Sequence, residues 1–181
     1  MGSTLRKVSR ILLFLTYLSA SGISFCELQL EKSNLLEIEV DFNGSATWAI
    51  THRYLLTTVD DFETFQLYLS SFEEREEEYL ESFSKDMLGM VNRASNITGR
   101  DMTAKDFDVD YGIIETPTES LGFVKYQCIW VGFALIDRSR ICMGDVFEAG
   151  FFLFENDELT VKYPDMFRII EVSPIPDVKL D

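Results

Sequence analysis

An α+β fold, an antiparallel sheet of about seven strands packed against one long amphipathic helix placed after the first hairpin, is predicted by three features of the 181-residue chain. Residues 36–42 alternate strictly between apolar and acidic. From Phe62 to Met90 the apolar residues return at steps of three, four or seven. Beyond Gly99 the pattern is extended, divided by short turn signals. A period of two places alternate side chains on opposite faces of a strand, and a period near 3.6 gathers them on one side of a helix.

In the first hairpin Leu36, Ile38, Val40 and Phe42 share one side, with Glu37, Glu39 and Asp41 on the other. After Asn43-Gly44 the same parity continues through Ala46, Trp48, Ile50, His52 and Tyr54. Directly opposed residues share a face, so the connection must hold an odd number of residues or carry a bulge; residues 43–45 are the expected loop. The helix is expected to start at residues 57–61, with Asp60 as cap and Glu63 at capping-box spacing. It then runs through Phe65, Leu69, Phe72, Tyr79, Phe83 and Met87 to about Ser95, with a bend near Ser84 or Gly89 and a stop at Gly99. Strands are expected over 107–116, 123–136, 141–154, 159–163 and 167–172, joined by short turns as an antiparallel meander.

The first 26 residues have the order of a secretion signal: Arg6, Lys7 and Arg10, then an apolar stretch over 11–25 with small residues around Ala20-Ser21-Gly22. That stretch is shorter than the roughly 20 residues that span a bilayer, which favours a cleaved leader over an anchor. Residues 27–181 then form one exported, extracytoplasmic domain, touching a membrane only through the leader if it is uncleaved. Three of the 16 basic residues lie in the leader, so the remainder carries 13 basic against 31 acidic residues, a net charge of −18. Such a field repels phosphate backbones and argues against a nucleic-acid role for this segment. Asn43-Gly44-Ser45 and Asn96-Ile97-Thr98 fit the glycosylation sequon, making Asn43 and Asn96 candidate acceptors. Of the three cysteines, Cys26 sits at the leader boundary, and Cys128 with Cys142 is the pair that export could oxidise. The expected turn at 137–140 sets Cys128 opposite a residue near Ala149 and not opposite Cys142.

No catalytic arrangement emerges. His52 is the sole histidine and lacks ligand partners at metal spacing; its strand neighbours make it a packed or edge residue. There is no Gly-x-Ser-x-Gly elbow and no Gly-rich phosphate loop. Asp106, Asp108 and Asp110 alternate as the wet side of a strand would, without a loop to wrap a cation. Asp145 lies in an otherwise apolar strand and needs a partner, for which Arg100 and Arg53 are candidates. Fifteen Phe, seven Tyr and two Trp residues supply either a sheet-on-helix core or, in part, an exposed patch or ligand cavity.

Several runs together carry a resemblance: Thr98-Gly99-Arg100-Asp101-Met102, Gly122-Phe123-Val124-Lys125-Tyr126, Trp130-Val131-Gly132-Phe133-Ala134, the seven residues from Gly144 through Gly150, and Pro174-Ile175-Pro176-Asp177. In order and spacing the segment from Leu35 to Asp177 resembles an uncharacterised archaeal family of exported domains. Longer proteins of that kind carry a membrane helix after the domain and a winged helix-turn-helix beyond it, which implies the outer module of a membrane-bound regulator. The present sequence ends at Asp181, before those parts, as a short freestanding paralogue or a shortened chain would.

The reading that follows is a non-catalytic binding or sensory module without cofactor or metal, presenting a groove between helix and sheet to a protein or a small apolar ligand. Trp48, Tyr126, Trp130 and Phe133 are the candidate apolar walls, and Arg100 with Asp145 the polar pair. A structural envelope-associated protein and a carrier of an apolar molecule under the helix are the alternatives.

Overall fold

The computed structural model describes residues 30–178 apart from 139, 148–152, 155 and 174. The leader, its cleavage box and Cys26 lie outside the described residues, as do Phe151 and Phe152. The described chain is a mixed α+β fold with a five-stranded main sheet, a separate two-stranded hairpin and two helices.

β1 (Lys32–Val40) and β2 (Ala46–Leu56) form the expected hairpin, with Leu36 opposite Ile50, Ile38 opposite Trp48 and Val40 opposite Ala46. Opposed residues share parity as expected, but the connection is five residues, 41–45, and not three. The Asp41 amide donates to the Ser45 carbonyl at 2.8 Å and the Gly44 amide to the Asp41 carbonyl at 3.0 Å, closing a turn in which Phe42 is 66% exposed. Gly44 takes φ +80°, and a Cβ there would lie 2.8 Å from the Ala134 carbonyl oxygen, so only glycine fits this turn.

α1 (Val59–Glu73) is capped by Thr58, whose side chain accepts from the Asp61 amide while the Asp61 carboxylate accepts from the Thr58 amide. This reciprocal box replaces the expected Asp60 cap and Glu63 partner. The Thr57 hydroxyl, with the Thr58 and Thr57 amides, holds the Asp61 carboxyl below its ordinary range. The single long helix is in fact two: the chain breaks at Glu74 and Arg75, and α2 (Glu76–Thr98) follows. Gly99 ends α2 in the left-handed conformation, as its position predicts.

β3 (Thr103–Glu115) and β4 (Ser120–Val131) pair antiparallel, and β4 also pairs antiparallel with β2. A bulge at Asp106 and Phe107 shifts the β3 register, with Asp106 at φ 55°. The extra residue changes parity: Ala104 faces the helices before it, and Val109 and Tyr111 do so after it. β4 stops at Val131, short of the expected Ile136, because the chain turns at Gly132 (φ +76°) into the small hairpin β5 (Leu135–Asp137) and β6 (Arg140–Cys142). The long strand expected over 141–154 is reduced to β6 in its described part, and 167–173 form no strand. β7 (Glu158–Lys162) joins the sheet parallel to β1, giving the order β3-β4-β2-β1-β7 in place of an all-antiparallel meander.

Both helices lie on one face. Phe83, Met87, Val91 and Ala94 of α2 pack onto Ile38, Val40, Trp48, Cys128 and Trp130. Phe65 of α1 packs with Tyr54 and Leu56, and Phe72 meets Tyr79 and Val124 where the helices join. At roughly 1.5–3 kcal/mol for each fully buried large apolar side chain, this face is the dominant source of stability.

Candidate functional site

The helix–sheet seam expected to form a groove is packed solid at the residues proposed for it. Trp48 is 3% exposed, Trp130 0% and Phe133 1%. Trp130 meets Trp48 edge-on at 6.0 Å and Phe133 edge-on at 5.2 Å. Tyr126 is half-buried, tilted against Phe83 at 5.2 Å, and burial pushes its phenol above the ordinary range. These four side chains sit together, but as core.

Arg100 and Asp145 do come together. Arg100 follows the α2 cap, and its Nη1 and Nη2 donate to the two carboxylate oxygens of Asp145, the second at 3.2 Å, while Nη2 also donates to the Phe133 carbonyl at 2.8 Å. Asp145 lies in a turn after Gly144 and not in the expected strand. The fork therefore ties the end of α2 to the segment after β4 and to the segment after β6, a positioning task. Arg53, the other candidate, pairs with Glu158 at 3.1 Å. Asp108 accepts from Gln127 Nε2 at 3.0 Å and Asp106 lies 3.5 Å from Lys105, so two of the three strand acids have surface partners.

His52 is half-buried on β2. Its Nδ1 is 2.6 Å from Asn34 Oδ1, and Asn34 Nδ2 donates to Asp157 Oδ1 at 2.8 Å. The chain of bonds makes Nδ1 the protonated nitrogen and links β2, β1 and the turn before β7. Burial, with Lys32 nearby, lowers the imidazole pKa to about 3.

Among the described residues no helix covers the second face of the sheet. Across its five strands run the rows Lys105, Ile129, Thr47, Glu39 and Lys162, then Asp108, Gln127, Ala49, Glu37 and Thr160, then Asp110, Lys125, Thr51, Leu35 and Glu158. Lys162 pairs with Glu37 at 3.0 Å. Lys162 and Glu158 are more than half exposed, and such exposed pairs contribute about 0–1 kcal/mol, so they shape the face more than they stabilise it.

At the hairpin end this face deepens into a groove of about 780 Å³. Thr47, Ile129 and Val131 form its floor, Phe42 and Tyr163 its apolar rim, and Lys105, Lys162, Glu39 and Asp165 its charges. The volume is that of a small-molecule or peptide site. Sequence reasoning missed it because its rim is made by a loop longer than expected and by a parallel strand brought in from the end of the chain. The alternation of Glu37 and Glu39 did mark the face as wet. Asn43 and Asn96 are both exposed, and Asn43 lines the groove with its Oδ1 accepting from the Ser45 amide at 2.8 Å.

Among the described residues no helix is long and apolar enough to cross a membrane, and no three His, Cys, Asp or Glu side chains are gathered to hold an ion. Cys128 is buried and Cys142 exposed, both as free thiols. Fold and surface of the described residues together define a mixed α+β domain with helices on one face of its main sheet. Residues 37–167 match the family described as domain of unknown function DUF7345, and the chain belongs to that family. No curated protein and no solved structure matches it.

Proposed function

We propose that this chain is an extracytoplasmic, non-catalytic binding or sensory module whose contact surface is the open sheet face and its groove. The observation that carries this reading is the asymmetry of the sheet among the described residues: one face is sealed by α1 and α2, and the other ends in a groove of about 780 Å³ in which Thr47, Ile129 and Val131 lie between side chains of both charges. The leader-like order of residues 1–26 and the net charge of −18 beyond it support export and argue against nucleic acid as partner. The occupant is a protein or a small apolar ligand. On the resemblance to exported archaeal domains, the module is the outer part of a membrane-linked regulator.

The space beneath α2 is occupied by Phe83, Met87, Val91, Trp48 and Trp130, which disfavours a carrier holding its cargo there. The test is to screen the purified protein against peptide and metabolite libraries by NMR, beside a folded Thr47→Trp variant that fills the groove floor. Ligands lost on filling the groove support the reading. Ligands retained unchanged, or finding the intact precursor in the cytosol, would overturn it.

A further inference from the structure

We propose that β7 is a self-complementary edge through which two copies of this chain pair antiparallel about Thr160, joining their sheets into one. Among the described residues β7 pairs with β1 alone, so its outer edge has backbone donors and acceptors open to a partner strand. Its sequence, Glu158-Leu159-Thr160-Val161-Lys162, reads symmetrically in chemistry about its centre. Antiparallel pairing on a two-fold axis at Thr160 sets Glu158 opposite Lys162 of the second copy, and Lys162 opposite its Glu158.

The faces agree as well. Glu158, Thr160 and Lys162 stand beside Leu35, Glu37 and Glu39 on the open side, whereas Leu159 and Val161 stand beside Leu36 and Ile38 on the helix side. Leu159 would then face Val161 of the second copy, covering a Val161 that is 42% exposed. Opposite charges and apolar pairs directly across a strand pair are the favourable combinations.

The other edge is built differently. β3 carries a bulge at Asp106 and Phe107 together with the exposed acids Asp106, Asp108 and Asp110, so self-pairing there sets acid near acid. The chain's own tail is the competing occupant of the β7 edge, because the Phe167 amide donates to the Pro164 carbonyl at 2.9 Å and turns the chain back. Continued as a two-residue hairpin, that turn would place Ile169 opposite Lys162 and Glu171 opposite Thr160, matching no charge. A second copy sets an opposite charge across from Glu158 and Lys162, beside the Arg53 and Glu37 that each already meets within its own sheet.

The contact is short. Five residues a side fall below the roughly 1,200 Å² of a standard interface, so the dimer is a weak one that forms with rising concentration. Sedimentation of the purified protein from about 10 µM to 1 mM should show a monomer–dimer equilibrium. E158K and K162E should each be monomeric over that range, with a dissociation constant raised about tenfold or more. An equimolar mixture of the two should associate again, because each then presents the charge the other lacks, and the E158K/K162E double variant should dimerise like the parent. The mixture is decisive, since both variants keep whatever intrachain damage they carry. A parent that stays monomeric throughout, as it would with its own tail on the edge, or a mixture no more associated than its components, overturns the proposal.

Discussion

Phe72 and Tyr79 stack at 4.8 Å with their rings 9° from parallel, although seven residues separate them. In an unbroken α-helix residues that far apart lie about 10 Å apart along the axis, so the stack exists only because the chain turns at Glu74 and Arg75. Arg75 seals the turn: its amide donates to the Phe72 carbonyl at 2.9 Å, its Nε bonds Glu78 at 2.9 Å and its guanidinium lies 5.1 Å from the Tyr79 ring. Phe72 is 1% exposed, so Phe72→Ala should cost about 3–5 kcal/mol in urea unfolding. A Phe72→Leu and Tyr79→Leu cycle should show a coupling of about 0.5–1.5 kcal/mol, and additive single effects would mean that the stack does not hold the corner.

That corner also marks where the sequence stopped being readable. The apolar step of seven from Phe72 to Tyr79 fits either a helix that skips a turn or two helices meeting at a bend, and only tertiary packing decides. The first hairpin was legible because Leu36, Ile38, Val40 and their partners obey a local parity that no distant contact can alter. β7 was legible as a strand but not in its place, since a parallel partner leaves no mark on the strand itself. For the site, the sequence offered Asp145 two cations, Arg100 and Arg53, on the premise of an apolar strand; Asp145 instead lies in an exposed turn, and its pairing with Arg100 depends on where that turn meets the end of α2. The apolar walls could not be read, because a tryptophan looks the same in sequence whether it fills a core or lines a groove.

Gly122 shows how closely α1 approaches the sheet. A Cβ at this β4 position would lie 2.4 Å from the Phe65 ring, and Phe65 is fully buried. Gly122→Ala should therefore destabilise by about 1–3 kcal/mol, the usual range for overpacking. Combined with Phe65→Leu the loss should be smaller than the sum of the two single losses, read from denaturant midpoints at constant slope. Strict additivity would contradict the contact.

Arg100 has a side chain 19% exposed, and its planar fork holds two elements that the backbone does not connect. Lys keeps the charge but carries its donors on a single nitrogen, without the planar fork whose two terminal nitrogens meet the Asp145 oxygens side by side while one also reaches the Phe133 carbonyl. Arg100→Lys should cost about 1–2 kcal/mol and speed hydrogen exchange in the segments around Phe133 and Asp145 before the rest of the domain. Unchanged exchange there would remove the positioning role.

The described cysteines differ in access. Burial pushes the Cys128 thiol up to about 12, and it lies under the helices opposite Trp48, whereas Cys142 is exposed in the small hairpin. Native protein treated with iodoacetamide at pH 8 should be alkylated at Cys142, with Cys128 reacting only once denaturant opens the core. Peptide mass mapping reads both sites, and equal labelling in the folded state would mean that the sheet–helix seam is not closed.

His52 makes stability depend on pH in a defined window. Its folded pKa of about 3 lies below the ordinary 6.5, so between those values the unfolded chain binds the proton that the folded chain excludes. Stability from this group is therefore complete above pH 6.5 and is lost as pH falls towards 3, at about 1.4 kcal/mol per unit in the middle of the window. Protonation would place a second cation beside Lys32 in a half-buried site, with Tyr126 edge-on at 6.1 Å and the Asn34 bond already taken by Nδ1. From pH 6.5 to pH 5 the parent should lose about 2 kcal/mol more than His52→Gln, which shares every carboxylate and so cancels their titration. Parallel pH profiles for the two proteins, or an imidazole that titrates near 6.5 by NMR, would show that water reaches the ring and that the β2–β1–β7 network does not depend on its neutral form.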